Sequence, residues 1–495
     1  MIVGINCDRE RLSVCPVCRF QTILMSLMEE EIQKIAPNPY LYYYNHMSNE
    51  TNKDDNIITA VLPGFMELTP KDQMAFDRMK DIIALTYKQF GFISIDTPAI
   101  ERSEVLLAKA GGETEKQIYR FNKGDNDLSL RFDLTIPLAR YVAEHQQDLV
   151  FPFRRSQIAK VYRGERPQKG RFREFYQCDI DIIGRETLSL MNDAEIPSII
   201  YSVFSKLDFG PFMIKINNRK IINGLLESMG VAELGVEIMR TIDKLDKIGK
   251  EEVSKMLVEI GVPENVLPGL FNFINIKGSN EDVLYTIAGL SDKLITRSEL
   301  FDAGVEELSK VIKNIKLFGI PDKNISIDLS IARGLDYYTG TVYETKLTDY
   351  PQVGSVCSGG RFDNLAEKYS DKKFPGVGIS IGLTRLFSQL KDAGIIDAAA
   401  GASTPTKVLV IPMIENMEVP FSIASKLRDA GVPTEVYFDD VKPKVKLAYA
   451  NKLEIPYVIL IGDDELSAGK YMLKDMVSGE QELVGEQELV ARLRV

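Results

Sequence analysis

Between Arg154 and Gly184 the chain reads RRSQIAKVYRGERPQKGRFREFYQCDIDIIG, two strand-like runs around a polar, basic loop. No other stretch leaves so few ways to fold. Along the second run, side chains alternate with the period of a strand. Tyr176, Cys178, Ile180 and Ile182 suit a core, and Phe175, Gln177, Asp179 and Asp181 face the other way. On the first run, Val161, Arg163 and Glu165 share one face. Paired as a hairpin, the two runs put Arg, Glu, Phe, Gln and two Asp on a single surface. Such a surface offers a fork for phosphate or carboxylate, an aromatic plate for a base and acceptors for a cationic or hydrogen-bonding substrate. The loop carries Arg166, Lys169, Arg171 and Arg173, shaped by Pro167 and Gly170. Taken alone, it reads equally well as a solvated basic hairpin tip.

The whole chain narrows the classes. Its 495 residues suggest roughly three domains. A net charge of −11 excludes a generally basic nucleic-acid coat, though local basic patches remain able to meet RNA. Five scattered cysteines argue against a disulfide framework and for a reducing, cytoplasmic compartment. Cys15 and Cys18 have zinc-ligand spacing, but no second pair follows and His46 is the only later candidate. Two histidines leave Ser-His or metal-His chemistry poorly supported. No apolar run approaches the roughly 18 residues that would span a bilayer, so no membrane partner is expected. Residues 1–56 match nothing downstream. Residues 1–46 read as a loose extension or a start assigned too early, because Met47-Ser-Asn-Glu-Thr-Asn opens like a polar N-terminus.

The body follows in order. Thr69-Pro70-Lys71-Asp72 is a helix start, with a capping Thr, Pro in the first turn and an acid near the positive end. Phe76, Met79, Ile83, Tyr87 and Phe90 recur at helical spacing until Gly91, and a strand runs to Asp96 before Pro98. Leu128, Leu130 and Phe132 alternate with polar residues in a strand that ends on Asp133-Leu134-Thr135. That carboxylate and hydroxyl suit an ammonium ligand, or equally a cap for the helix near Pro137. Residues 220–318 are helical in pattern and poor in site-like residues. Ile325 to Ile331 alternates as a half-buried strand. Gly359-Gly360 permits close backbone approach, and Gly376 to Gly382 is a strand running into a helix that holds Arg385. Past an Ala/Gly/Ser/Pro linker, strands and helices alternate from Lys407 to Leu493, which predicts a small α/β domain with a mostly parallel sheet.

Several of these stretches resemble class II aminoacyl-tRNA synthetases. The helix-strand-Pro98 unit looks like their motif 1, Arg163-Gly164-Glu165 with its loop and Phe175 like motif 2, and the strand-helix ending in Arg385 like motif 3. Asp133-Leu134-Thr135, Gln177-Cys178-Asp179-Ile180-Asp181, Arg333-Gly334-Leu335-Asp336-Tyr337-Tyr338 and Gly359-Gly360-Arg361-Phe362 resemble signatures of the histidyl-tRNA synthetase family. Two places depart from its pattern: Leu62-Pro-Gly-Phe-Met-Glu67 before motif 1, and Thr384, where an acid is usual.

The resemblance implies an α+β catalytic domain, an antiparallel sheet flanked by helices, in segments 57–218 and 321–395. A helical insertion at 219–320 and an anticodon-binding α/β domain at 406–495 complete it. It implies ATP and Mg²⁺, L-histidine, tRNA and a homodimer, with no metal ligand that can be named. By the same resemblance, Arg163 and Arg333 act at the reacting centre. Glu165, Arg171, Phe175 and Arg385 join Arg163 around ATP. Asp133, Leu134, Thr135, Gln177, Asp181, Tyr337 and Tyr338 join the two arginines around histidine. The alternative is a non-catalytic, synthetase-like regulatory subunit of histidine biosynthesis.

Overall fold

A computed structural model describes residues 59–108, 113–167, 170–331, 338–396 and 403–494. The N-terminal extension, with Cys15, Cys18 and His46, lies outside the described residues, as do Lys169, Arg333 and Tyr337. Strands β1 (Ile93–Ser94), β2 (Ile100–Arg102), β3 (Arg120–Lys123), β4 (Asn126–Leu130), β5 (Phe153–Tyr162), β6 (Glu174–Ile183) and β7 (Phe212–Asn218) come first. After a long helical stretch come β8 (Ile325–Ile327), β9 (Thr341–Leu347), β10 (Ser355–Phe362) and β11 (Gly376–Gly382).

The hairpin read from sequence is β5 and β6, at the heart of an eight-stranded sheet ordered β1-β5-β6-β11-β10-β9-β7-β8. Its inner pairings are antiparallel. The two outer ones, β1 with β5 and β7 with β8, are parallel. Cys178, Ile180 and Ile182 are fully buried on one face, as their alternation requires. The Pro70–Gln89 and Met191–Leu207 helices cover that face. Thr69 caps the first of them by accepting the Asp72 N–H, and the Tyr87 hydroxyl donates to the Cys178 carbonyl at 3.0 Å. Behind the sheet, Arg361 forks onto Asp193 at 3.0 and 2.6 Å, so this signature arginine is a buried structural tie. A smaller sheet, ordered β2-β4-β3, stands beside the hairpin.

Between Arg219 and Leu317 the regular elements are helical, as expected. They do not build a separate core. Ile221, Leu225, Leu308 and Ile312 belong to the same apolar cluster as the sheet. The Arg219–Ser228 and Glu299–Leu317 helices meet through glycines. A Cβ on Gly224 would lie 2.4 Å from the Phe301 nitrogen, and one on Gly304 2.7 Å from that of Ile221. The strand expected to reach Ile331 stops at Ile327, because the Asp328 carboxylate accepts the Ser330 N–H and hydroxyl and turns the chain.

The last 90 or so residues add β12 (Val408–Pro412), β13 (Thr434–Val436), β14 (Tyr457–Ile461), β15 (Lys470–Asp475) and β16 (Gln481–Gly485). Their sheet is ordered β13-β12-β14-β15-β16. Alternate residues of β12 feed separate apolar clusters on its two faces, Val408 and Val410 on one and Leu409 and Ile411 on the other. Only β13, β12 and β14 are parallel; β15 and β16 form an antiparallel hairpin. The sheet is therefore less parallel than expected. Within the polar β16 only Val484 is buried, so it left no periodic signal.

Candidate active site

The polar face of β6 floors a cavity of about 520 Å³. From Phe175 to Asp181 it spans about 20 Å at the rise of an extended strand, long enough to serve chemically different ends. The two ends are built from opposite charges.

At the arginine end, Phe175 rests on Leu134, Ala159 and Val161. The Arg163 guanidinium lies 5.1 Å from the Phe175 ring and 4.3 Å from that of Phe132, and its Nε donates to the Phe132 carbonyl at 3.3 Å. Two ring faces and a carbonyl fix this cation at the cavity wall. Arg171 pairs with Glu165 at 3.1 Å across the mouth. The base of their loop is held by the segment that departs from the family pattern, since Gly64 accepts the Arg173 N–H at 2.8 Å through its carbonyl. Arg385 lines the cavity from the Leu383–Asp392 helix. Beside it Thr384 has a structural task. Its hydroxyl accepts the Tyr176 N–H at 2.9 Å, continuing the β6 ladder one rung beyond the point where β11 ends.

The carboxylate end holds Asp133, Asp179 and Asp181, all buried. Asp181 stands opposite Arg155 across the hairpin and pairs with it at 2.6 Å. Arg155 is wholly buried and also donates to the Leu134 carbonyl at 3.3 Å. On the other side, Gly378 of β11 is the partner of Asp181, and a Cβ there would come within 2.1 Å of the Asp181 Oδ1. A residue without a side chain is the only kind that admits this carboxylate. Asp133 accepts the Ile136 N–H at 3.0 Å, as a cap for the first turn of the Thr135–His145 helix would, and it also lines the cavity. Gln177 donates to the Ser380 hydroxyl at 2.8 Å. Burial pushes all three carboxyls above the ordinary range, with Arg155 opposing it; that of Asp179 reaches about 7.

Of the expected site residues, Asp133, Thr135, Arg163, Glu165, Arg171, Phe175, Gln177, Asp181, Tyr338 and Arg385 all line this one cavity. Leu134 does not. Its side chain is fully buried under Phe175, and its carbonyl is taken by Arg155, so it supports the site from beneath. Arg333 and Tyr337 lie outside the described residues. The sequence does not single out Arg155, although it lies between Arg154 and Gly184; its role depends on which residue of β6 it faces. Ser380 and Asp243 were missed as well, the latter brought to the cavity by the end of the Gly235–Ile242 helix.

Comparison with known proteins agrees with this geometry. Residues 64–386 match the family model described as histidyl-tRNA synthetase, and residues 407–495 that of an anticodon binding domain. Over 438 residues the chain is 57% identical to a histidine–tRNA ligase of Clostridium tetani, covering 88% of this chain and 98% of that protein. Among solved structures, a histidyl-tRNA synthetase from Nostoc sp. PCC 7120 superposes with a TM-score of 0.80 at 41% identity, over 88% of this chain and 99% of that one. An ATP phosphoribosyltransferase regulatory subunit/histidyl-tRNA synthetase from Bacillus halodurans shares the fold, with a TM-score of 0.66 at 19% identity, over 82% of this chain and 98% of that one. The fold is thus common to both readings left open by the sequence, and the level of identity separates them. An opposed-charge cavity on a strand bearing the family's motifs, a family model spanning 64–386 and a relative 57% identical lead to one conclusion: the chain belongs to the histidyl-tRNA synthetase family.

Proposed function

We propose that this chain is a histidine–tRNA ligase that activates L-histidine with ATP and passes it to tRNA, with the cavity on β6 as its active site. One observation carries the reading: a single strand face runs from an arginine-and-aromatic end to a carboxylate end. That polarity matches an aminoacyl-adenylate, with purine and phosphate at one end and ammonium and imidazole at the other.

In the first step the histidine carboxylate attacks the α-phosphorus in line, the bond to the bridging oxygen breaks, and pyrophosphate leaves. Such a step needs positioning and positive charge more than a base. Arg163, clamped between two rings, would bridge the carboxylate and the α-phosphate, and Arg333 would add a second cation where charge develops. Phe175 and Arg385 would sandwich the adenine and Glu165 would read its edge. Arg171 would take the leaving phosphates, so the Arg171–Glu165 pair opens when ATP enters. Asp133, Thr135 and Gln177 would hold the α-ammonium. Asp181 and Tyr338, with Tyr337 beside it, would bracket the ring. In the second step a tRNA 3′-terminal hydroxyl attacks the acyl carbon and AMP leaves.

ATP would enter with Mg²⁺ on its phosphates, the usual state of such nucleotides. Among the described residues no group of three ligating side chains is found that could hold the ion by itself. The helical stretch at 219–320 would lean over the tRNA acceptor arm, a reading supported by Asp243 at the cavity wall. The domain at 406–495 would take the anticodon. A homodimer is proposed through motif 1, supported by the exposed apolar Leu85, Ile93 and Ile100 around it; sedimentation at micromolar concentration checks it. A cytoplasmic location follows from the tRNA substrate, and no described helix is long and apolar enough to cross a membrane.

The deciding experiment is amino-acid-dependent exchange of labelled pyrophosphate into ATP with all twenty amino acids. Exchange with histidine alone is expected. Exchange with a different amino acid, or none from folded protein with Mg²⁺ present, overturns the assignment.

A further inference from the structure

Asp179 has no role in the scheme above, yet it sits between Gln177 and Asp181 on the same strand face and lines the same cavity. It is 2% exposed, and its Oδ1 accepts no hydrogen bond among the described residues. Ser380, its direct partner on β11, supports the carboxyl through its hydroxyl. Among the described residues no cation forms an ion pair with it. Arg155 from β5 favours the ionised carboxyl, but its short ion pair goes to Asp181, while Asp133 and Asp181 repel it; Cys178, Cys357 and Tyr87 are buried groups that bring no cation. A buried, unpaired carboxylate needs either a proton or a cation from the ligand.

The substrate ring can provide that cation. Neutral imidazole has one N–H donor and one bare nitrogen acceptor, whereas imidazolium has two donors. Ionised Asp179 and Asp181 offer acceptors only. We propose that Asp179 selects the charged form of the substrate ring, so that histidine is bound as the imidazolium and its binding draws a proton from solution. The proton adds to the bare ring nitrogen; no other bond forms or breaks. The inference rests on the active-site reading above and adds a residue that sets which form of histidine is recognised. Burial, which holds the Asp179 carboxyl near 7, is consistent with it, because a carboxylate so placed gains most from a cationic partner.

Calorimetry of histidine binding to the full chain, in buffers of different ionisation enthalpy, counts the protons taken up. Near pH 8, where free imidazole is almost entirely neutral, uptake of about one proton is expected. Nitrogen NMR of ¹⁵N-labelled histidine on the enzyme should show both ring nitrogens protonated. In Asp179→Asn the side-chain amide can donate to a neutral ring, so binding should persist with uptake close to zero. The KM for histidine should also become nearly flat between about pH 6 and pH 9. Wild-type binding without proton uptake, or one neutral ring nitrogen in the bound NMR spectrum, overturns the inference. So does unchanged uptake in Asp179→Asn. The wild-type measurements decide the matter even where the variant does not fold. Failure of histidine-dependent pyrophosphate exchange would instead overturn the underlying reading, so the two failures remain distinct.

Discussion

At the scale of single residues, the site is a balance of buried charges. Asp179 titrates near 7 in the folded chain against an ordinary value of 3.8, because burial disfavours its ionised form. Between about pH 4 and pH 7 the folded state therefore holds a proton here that the unfolded chain has lost, and the contribution of Asp179 to the stability of the ligand-free protein falls as pH rises. The loss amounts to at most about 4 kcal/mol. Asp179→Asn should remove this share of the pH dependence and raise the melting temperature of the ligand-free protein above neutrality, as thermal melts across pH would show. Arg155 is the opposite case. It is wholly buried, and replacing it by Met would strand the Asp181 carboxylate, at a cost of about 3–5 kcal/mol. Denaturant unfolding should record that loss, and Asp181→Asn in the same chain should restore much of it. Asp133 shows how far the sequence could be read: its cap and its cavity position were both legible, and they coexist in one carboxylate.

At the scale of elements, strands β6 and β11 and the helix after β11 form one working piece. Gly378→Ala would drive a methyl into the Asp181 carboxylate and the Ile180 carbonyl, which lie 2.1 and 2.3 Å from the position of its Cβ. Overpacking of this kind costs about 1–3 kcal/mol. It should raise the KM for histidine far more than that for ATP in pyrophosphate exchange, because Phe175 and Arg163 lie at the other end of the strand. Thr384 ties the helix to β6 through one hydrogen bond from a backbone N–H. Thr384→Ala should destabilise by about 1 kcal/mol, while Thr384→Ser should stay near wild type by denaturant unfolding. The residue thus acts in the ladder where the family pattern carries an acid.

At the scale of the whole molecule, the apolar clusters divide the chain into separate cores. One runs unbroken from the eight-stranded sheet into the 219–320 helices, while the C-terminal sheet has clusters of its own. Removing residues 406–495 should leave histidine-dependent pyrophosphate exchange within a few-fold of the full chain and reduce aminoacylation of tRNA much more. Parallel assays of the two reactions on one preparation check this. By contrast, excising 219–320 should abolish folding, because the sheet would lose Ile221, Leu225, Leu308 and Ile312 from its own core.

Whatever is local in period can be read from the order of residues alone. The strand alternation of β6, the Thr69 cap, the helical run from Arg219 and the strand-helix order of the C-terminal domain follow from spacings of two and 3.6 residues, which the backbone imposes on any chain. Whatever depends on register between distant strands waits for the assembled sheet. Arg155 faces Asp181 because β5 and β6 pair in one register, and Gln177 meets Ser380 across 203 residues of chain. The Oδ1 of Asp179, which accepts no hydrogen bond among the described residues, has the same origin, since a carboxylate's burial and its company are properties of everything packed around it. Sequence spacing says which residues share a face; the depth at which they are buried, and which of them find a counter-charge, are settled only when the other strands arrive.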